Sequence, residues 1–218
     1  MQPASHAELA ALLERYGDDL PFLVQEFIPG DDSTICFSAL YLDEGRVLAR
    51  FDGRKLRSRP LGHTTIAEPL VDDEVFEQTR QFFAGLDLSG PVSLELKRDE
   101  QGQLWVIEPT VGRTDFWVGL CTANGVNLPA VEYSHQAGKP VSSQRQIQAS
   151  LWFNEDRDPL GPLWLLGQRH SNRPTGMARS FTYLHANDLG PSTAFVRVVV
   201  SRLLKSLGVR IRQLFLAR

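Results

Sequence analysis

Between positions 91 and 109 the chain carries two alternating runs. Pro91-Val92-Ser93-Leu94-Glu95-Leu96-Lys97 and Gln103-Leu104-Trp105-Val106-Ile107-Glu108-Pro109 are joined through the turn Asp99-Glu100-Gln101-Gly102. Side chains alternate faces along a strand, so Val92, Leu94 and Leu96 share a core side while Ser93, Glu95 and Lys97 point the other way. Pairing Ser93 with Glu108 leaves a four-residue loop, an ordinary hairpin connection. In that register Glu95 and Glu108 project from one sheet face about two strand positions apart. Carboxylates so placed repel each other unless a cation lies between them. Magnesium, a hard ion held by one or two carboxylates plus phosphate oxygens, suits the gap. Two other uses of the pair stay open: a solvated face on which each glutamate meets a Lys or Arg, and a glycosidase acid–base pair.

The remaining elements surround this hairpin. Ser5 and Glu8 form a capping box ahead of Leu9, Leu12, Leu13 and Tyr16, with Gly17 as the stop. Phe22 to Ile28 reads as an apolar strand ending at Pro29-Gly30. Thr34 to Leu42 and Arg46 to Phe51 form a second hairpin across Asp43-Glu44-Gly45. Gly53-Arg54-Lys55-Leu56-Arg57 reads as an irregular basic stretch. Asp72 opens a helix with an apolar stripe of Phe76, Thr79, Phe82, Phe83 and Leu86. Thr114 or Asp115 caps a helix running to about Gly125. Asn127 caps another, with Pro129 in its first turn and Gly138 as terminator.

Composition narrows the class. Apolar residues make up 42% of the 218 and charged residues 22%, the profile of a globular chain able to bury a core. Cys36 and Cys121 lie far apart and outside any C-x-x-C spacing, which argues against a disulfide framework or structural zinc and fits a reducing cytoplasm. The five histidines show no metal-ligand spacing. The first 194 residues carry 17 basic and 26 acidic side chains, and the last 24 carry six basic and none acidic. An acidic body of this kind does not suggest a nucleic-acid-binding domain. The basic tail, with Phe195, Val198, Val199, Leu203, Leu207, Leu214 and Phe215 as apolar candidates, has two readings: packing on the domain or a partner, and contact with a membrane surface.

Four segments in order, Leu23-Val24-Gln25-Glu26-Phe27-Ile28-Pro29-Gly30, Gly53-Arg54-Lys55-Leu56-Arg57, Leu94-Glu95-Leu96-Lys97-Arg98-Asp99 and Ile107-Glu108-Pro109-Thr110, resemble the C-terminal part of the ATP-grasp superfamily. More narrowly, they resemble carboxylate–amine ligase-like members associated with exopolysaccharide biosynthesis, over about residues 5 to 140. The resemblance implies that Gln25, Glu26, Phe27 and Ile28 hold adenine and that Asp32 contacts ribose. It implies that Lys55 and Arg57 lie near phosphate or an acidic substrate, and that Glu95 and Glu108 hold magnesium. Thr110 stands where the family places a metal-binding Asn. Arg113 lies one step beyond the family's arginine, where this chain has Gly112. Only 24 residues precede Gln25, with no lysine and one glycine, although the family grips phosphates with an upstream subdomain. A truncated chain, or one that depends on a partner, is the corresponding expectation.

The expected fold is α+β: an ATP-grasp C-terminal subdomain over 1–140, an antiparallel sheet with helices on one face. An extension over 141–194 and a basic amphipathic helix over 195–218 follow. The expected chemistry is ATP- and Mg2+-dependent joining of a small-molecule carboxylate and an amine through an acyl phosphate. The rival is a nucleotide-binding or interaction module without turnover.

Overall fold

The computed structural model describes residues 3–17, 24–60, 62–115, 117–168 and 176–201. Its framework is a seven-stranded sheet built from β1 (Ile35–Asp43), β2 (Arg46–Ser58), β3 (Thr64–Pro69), β4 (Gly90–Arg98), β5 (Leu104–Val111), β6 (Ser150–Phe153) and β7 (Ala178–Phe181). The spatial order is β5-β4-β1-β2-β3-β6-β7. All neighbours are antiparallel except β6 and β7, so the sheet is mixed at one end.

The fold is α+β, with helices on both faces rather than one. Alternation along β1 explains the two layers, because each face of this central strand is apolar. Phe37, Ala39 and Tyr41 pack with Trp117, Leu120 and Cys121 around α3 (Val118–Ala123), and with Leu128 and Val131 of α4 (Leu128–Gln136). Cys36, Leu40 and Leu42 pack on the opposite face with Leu94, Leu96 and α2 (Asp73–Phe82). There the buried stripe is Val75, Thr79 and Phe83, while Phe82 and Leu86 are exposed. A third cluster, Ile66, Leu151, Phe153 and Leu165, seats α5 (Gly161–Leu166) against β3 and β6.

Local signals set the element ends. The side chain of Ser5 caps α1 (His6–Tyr16) through Glu8 N, Asp72 caps α2 and Asn127 caps α4. Glu44 and Gly45 both take positive φ, 49° and 77°, as a tight two-residue hairpin turn requires. Neither Thr114 nor Asp115 caps α3 by its side chain, since only the backbone carbonyl of Asp115 accepts from Val118 N. Residues 24–29 are irregular, not a strand, and Phe22 and Leu23 lie outside the described residues. Both edges of β1 are already occupied by β2 and β4, and side chains rather than a ladder hold the segment. Gly53 to Arg57, read as irregular, belongs to β2 and pairs with β3 through bulges.

Gly53 is opposite Phe37, and a Cβ there would meet Phe37 Cζ at 2.4 Å and Glu68 O at 3.0 Å. Gly53→Ala is therefore expected to cost about 1–3 kcal/mol through overpacking. Gly17→Ala, which meets nothing within 4 Å, should be neutral or slightly stabilising. Urea denaturation of the two variants measures the contrast.

Candidate functional site

The sheet register builds the site. Glu108, Glu95, Phe37 and Gly53 form one row across β5, β4, β1 and β2, and Thr110, Ser93, Ala39 and Phe51 form a neighbouring row. The two glutamates are thus direct partners, closer than the Ser93–Glu108 register implied. A bulge between Glu95 and Leu96 shifts the ladder and brings Glu108 opposite Glu95. Opposed residues have Cβ atoms about 5 Å apart and project from one face. That face also carries α3 and α4, whose packing on Phe37 and Ala39 buries the β4 side of the pair. Glu95 is 8% exposed, whereas Glu108 is exposed.

Lys55 reaches Glu95 from β2, its Nζ donating to Oε2 at 2.7 Å, and is itself only 3% exposed. Burial raises the pKa of Glu95. The positive charge and hydrogen bond of Lys55 oppose the rise, and the negative charges of Asp115 and Glu108 reinforce it. Asp115, read from sequence as a helix cap, is therefore an acidic neighbour of the pair. The Oγ of Ser93 and the indole Nε1 of Trp117 are buried without a hydrogen-bond partner among the described residues. Both residues line a narrow crevice with Arg113, Thr114 and Asp115, and Arg113 is exposed at it.

The other candidates divide. Lys97, on the same face as Glu95, donates to Gly30 O at 2.7 Å, and its Nζ lies 5.6 Å from the Phe27 ring centroid. This lysine holds the segment bearing Gln25, Glu26, Phe27 and Ile28 beside the carboxylates. Gln25, Glu26 and Phe27 are exposed and Ile28 is partly buried. Asp32 accepts from the backbone N–H of Ser58 at 2.6 Å, which ties the entry of β1 to the end of β2. Arg57 does not join Lys55: a bulge separates them, and Arg57 bonds Asp158 at 2.6 Å and lies over Trp164 of α5. Ser93 was legible as the residue two before Glu95 on the same face. Asp115 and Asp158 carry no periodic signal that points to their partners.

No protein-family model matches the chain. Among solved structures it is similar to the phosphoribosylaminoimidazole carboxylase ATPase subunit from Aquifex aeolicus. That likeness has 15% identity and a TM-score of 0.44, covering 65% of this chain and 50% of that one. It is also similar to the L-amino acid ligase from Bacillus licheniformis, at 17% identity and a TM-score of 0.43, covering 60% of this chain and 34% of that one. Among curated proteins, it is similar to D-aspartate ligase from Enterococcus faecium (strain Aus0004), 30% identical over 114 residues. That match covers 49% of this chain and 26% of the ligase, so the chain spans about a quarter of the length of the relative it matches.

The buried ion pair generates a pH-dependent expectation. Lys55→Met leaves Glu95 as an uncompensated buried carboxylate and should cost about 3–5 kcal/mol at neutral pH. Because burial raises the pKa of Glu95, its contribution to stability is present below the ordinary carboxylate range and lost as pH rises through the elevated value. Removing Lys55 steepens that loss, so the variant's deficit shrinks as pH falls. Lys55→Met/Glu95→Gln should recover most of the stability. Urea midpoints across pH for the single and double variants measure both effects.

Proposed function

We propose that this chain forms the nucleotide- and magnesium-holding part of an ATP-dependent ligase of the ATP-grasp type, one that joins a small-molecule carboxylate to an amine. The observation that carries this reading is the Glu95–Glu108 pair, opposed on adjacent strands beside Lys55 and beside the segment at 25–28. The similarity to D-aspartate ligase supports it.

The donor set fits magnesium. Glu95 and Glu108 supply two carboxylates, and the Thr110 and Ser93 hydroxyls are next to them on the same face, with Ser93 Oγ buried and unpartnered among the described residues. Among the described residues no group of three or more His, Cys, Asp or Glu is arranged to hold a metal. Two carboxylates leave most of an octahedral shell to water and phosphate oxygens, the arrangement that nucleotide-bound magnesium adopts. When bound, the ion neutralises and aligns the triphosphate.

The chain's own residues then divide the work. Glu95 and Glu108 fix the position of the charge, and Lys55 holds Glu95 in place within the buried face. The exposed Phe27 ring offers a flat apolar surface for adenine, and the backbone of 25–28 offers hydrogen-bonding groups at its edge. Arg113, at the crevice rim, offers a guanidinium to an anionic substrate group. In the reaction, a substrate carboxylate oxygen takes the γ-phosphoryl group and ADP leaves. The amine nitrogen then attacks the acyl carbon, phosphate departs and the amine gives up a proton. No covalent bond to the protein is needed.

Calorimetric titration with ADP in the presence and absence of magnesium tests this assignment. The expected result is nucleotide binding that requires magnesium, weakened about 10- to 100-fold by Glu108→Gln, the loss of one charge-assisted contact. Glu108 is exposed, so the substitution should leave the fold intact. Magnesium-independent binding, or none, would remove the assignment. Release of ADP from ATP with D-aspartate and an amine would identify a ligase, and binding without turnover would identify the module alone.

A further inference from the structure

The basic helix expected over 195–218 is described only as far as Ser201, and its remaining cations lie outside the described residues. Within them, two lysines are buried, Lys55 at 3% exposure and Lys97 at 8%. Both share the face of Glu95 and Glu108, since Lys97 follows Glu95 by two on β4 and Lys55 reaches Glu95 from β2. Their surroundings differ. Lys55 is paired with a carboxylate. Lys97 has none within salt-bridge distance among the described residues. Its Nζ donates to Gly30 O and lies beside the Phe27 ring. An ammonium has three donors, and one carbonyl and a ring replace only part of what water supplies. A buried charge is costly unless an opposite charge meets it.

The register shows which anion reaches this lysine. Ile35, the first residue of β1, pairs with Lys97, and Phe37 pairs with Glu95. The segment that leads into β1 therefore arrives at the Lys97 end of the face, with Lys97 between it and the carboxylates. Gly30 takes a φ of +115°, in the region that favours glycine, and a Cβ there would lie 2.7 Å from Thr34 Oγ1 and 3.3 Å from Lys97 Cε. Turned this way, its carbonyl meets the lysine and leaves the exposed Phe27 ring beside the ammonium. Lys97 and Glu95 are roughly 7 Å apart along the strand. An aromatic surface, a cation and a pair of carboxylates thus follow one another, as do the base, the α-phosphate and the magnesium of a nucleotide. The cation has its own attraction for phosphate, and the carboxylates have theirs for the metal.

We infer that Lys97 binds the α-phosphate of a nucleotide laid along this face. The assignment rests on the function proposed above and adds to it a phosphate contact within the sheet. Calorimetric titration of the full chain with ADP and magnesium, with AMP and with adenosine tests it. Lys97→Gln removes the charge and keeps a donor for Gly30 O. It should weaken ADP and AMP about 10- to 100-fold, the loss of a charge-assisted contact, and leave adenosine within about twofold. Lys97→Arg keeps the charge and should hold both phosphates within about fivefold of the wild type. The urea midpoint of Lys97→Gln should not fall, because an ammonium without a carboxylate partner does little for the fold. Equal losses for all three ligands would make Lys97 a brace for the segment at 24–30 and overturn the inference. So would unchanged binding of ADP and AMP, which would leave the proposed function standing. A wild-type chain that binds no ADP removes both.

Discussion

A carboxylate held away from water on the face of a sheet is the constraint around which this molecule is arranged. Glu95 is surrounded by Lys55, Glu108 and Asp115, and burial works against its charge. A buried charge survives only when paired, so Lys55 must remain close, and a 2.7 Å bond keeps it there. The pair adds little to net stability, because desolvating both ions offsets their attraction. It does fix the position of the Glu95 carboxyl beside Glu108 on one face of the sheet.

The two-sided core makes that placement rigid. β1 is apolar on both faces, so the central strand is clamped between α2 on one side and α3 and α4 on the other. Phe37 connects this clamp to the site. It pairs with Glu95 on β4 and Gly53 on β2, and its ring stacks on Trp117 at 4.1 Å. Gly53 lacks a side chain where that ring needs room. Packing on α3 and the position of Glu95 are therefore linked through one aromatic residue, and the indole of Trp117 lines the adjoining crevice.

Strand-to-strand alternation made much of this legible from sequence. The shared face of Ser93, Glu95 and Lys97 follows from period two alone, and the caps at Ser5, Asp72 and Asn127 follow from residue type and spacing. The misreadings have common causes. The irregularity expected at Gly53 to Arg57 came from polarity, but a strand at a site can carry charge on both faces. The strand expected before Ile28 came from apolar content, and content does not supply a pairing edge. The helices expected on one face are found on both, because β1 is apolar in both registers. Lys97 holding the segment at 24–30, and Asp158 receiving Arg57, are contacts between residues 67 and 101 positions apart, which no local period encodes.

Two bulges decide what the site contains, and neither could be read from the chain. Without the shift between Glu95 and Leu96, Glu108 would stand opposite Leu94 and project from the other face of the sheet. Without the irregularity between Lys55 and Arg57, both cations would follow period two onto the same face. The second bulge instead places Arg57 opposite Ile66 and against Trp164, while Lys55 stays on the face it shares with Glu95 and Lys97. Bulges re-aim side chains at the cost of one unpaired residue, and they concentrate next to functional sites. Here they act on the strands either side of β1: one gathers two negative charges and the other limits the positive charge that meets them. The result is a face on which two opposed glutamates meet, with a buried lysine bonded to the inner one.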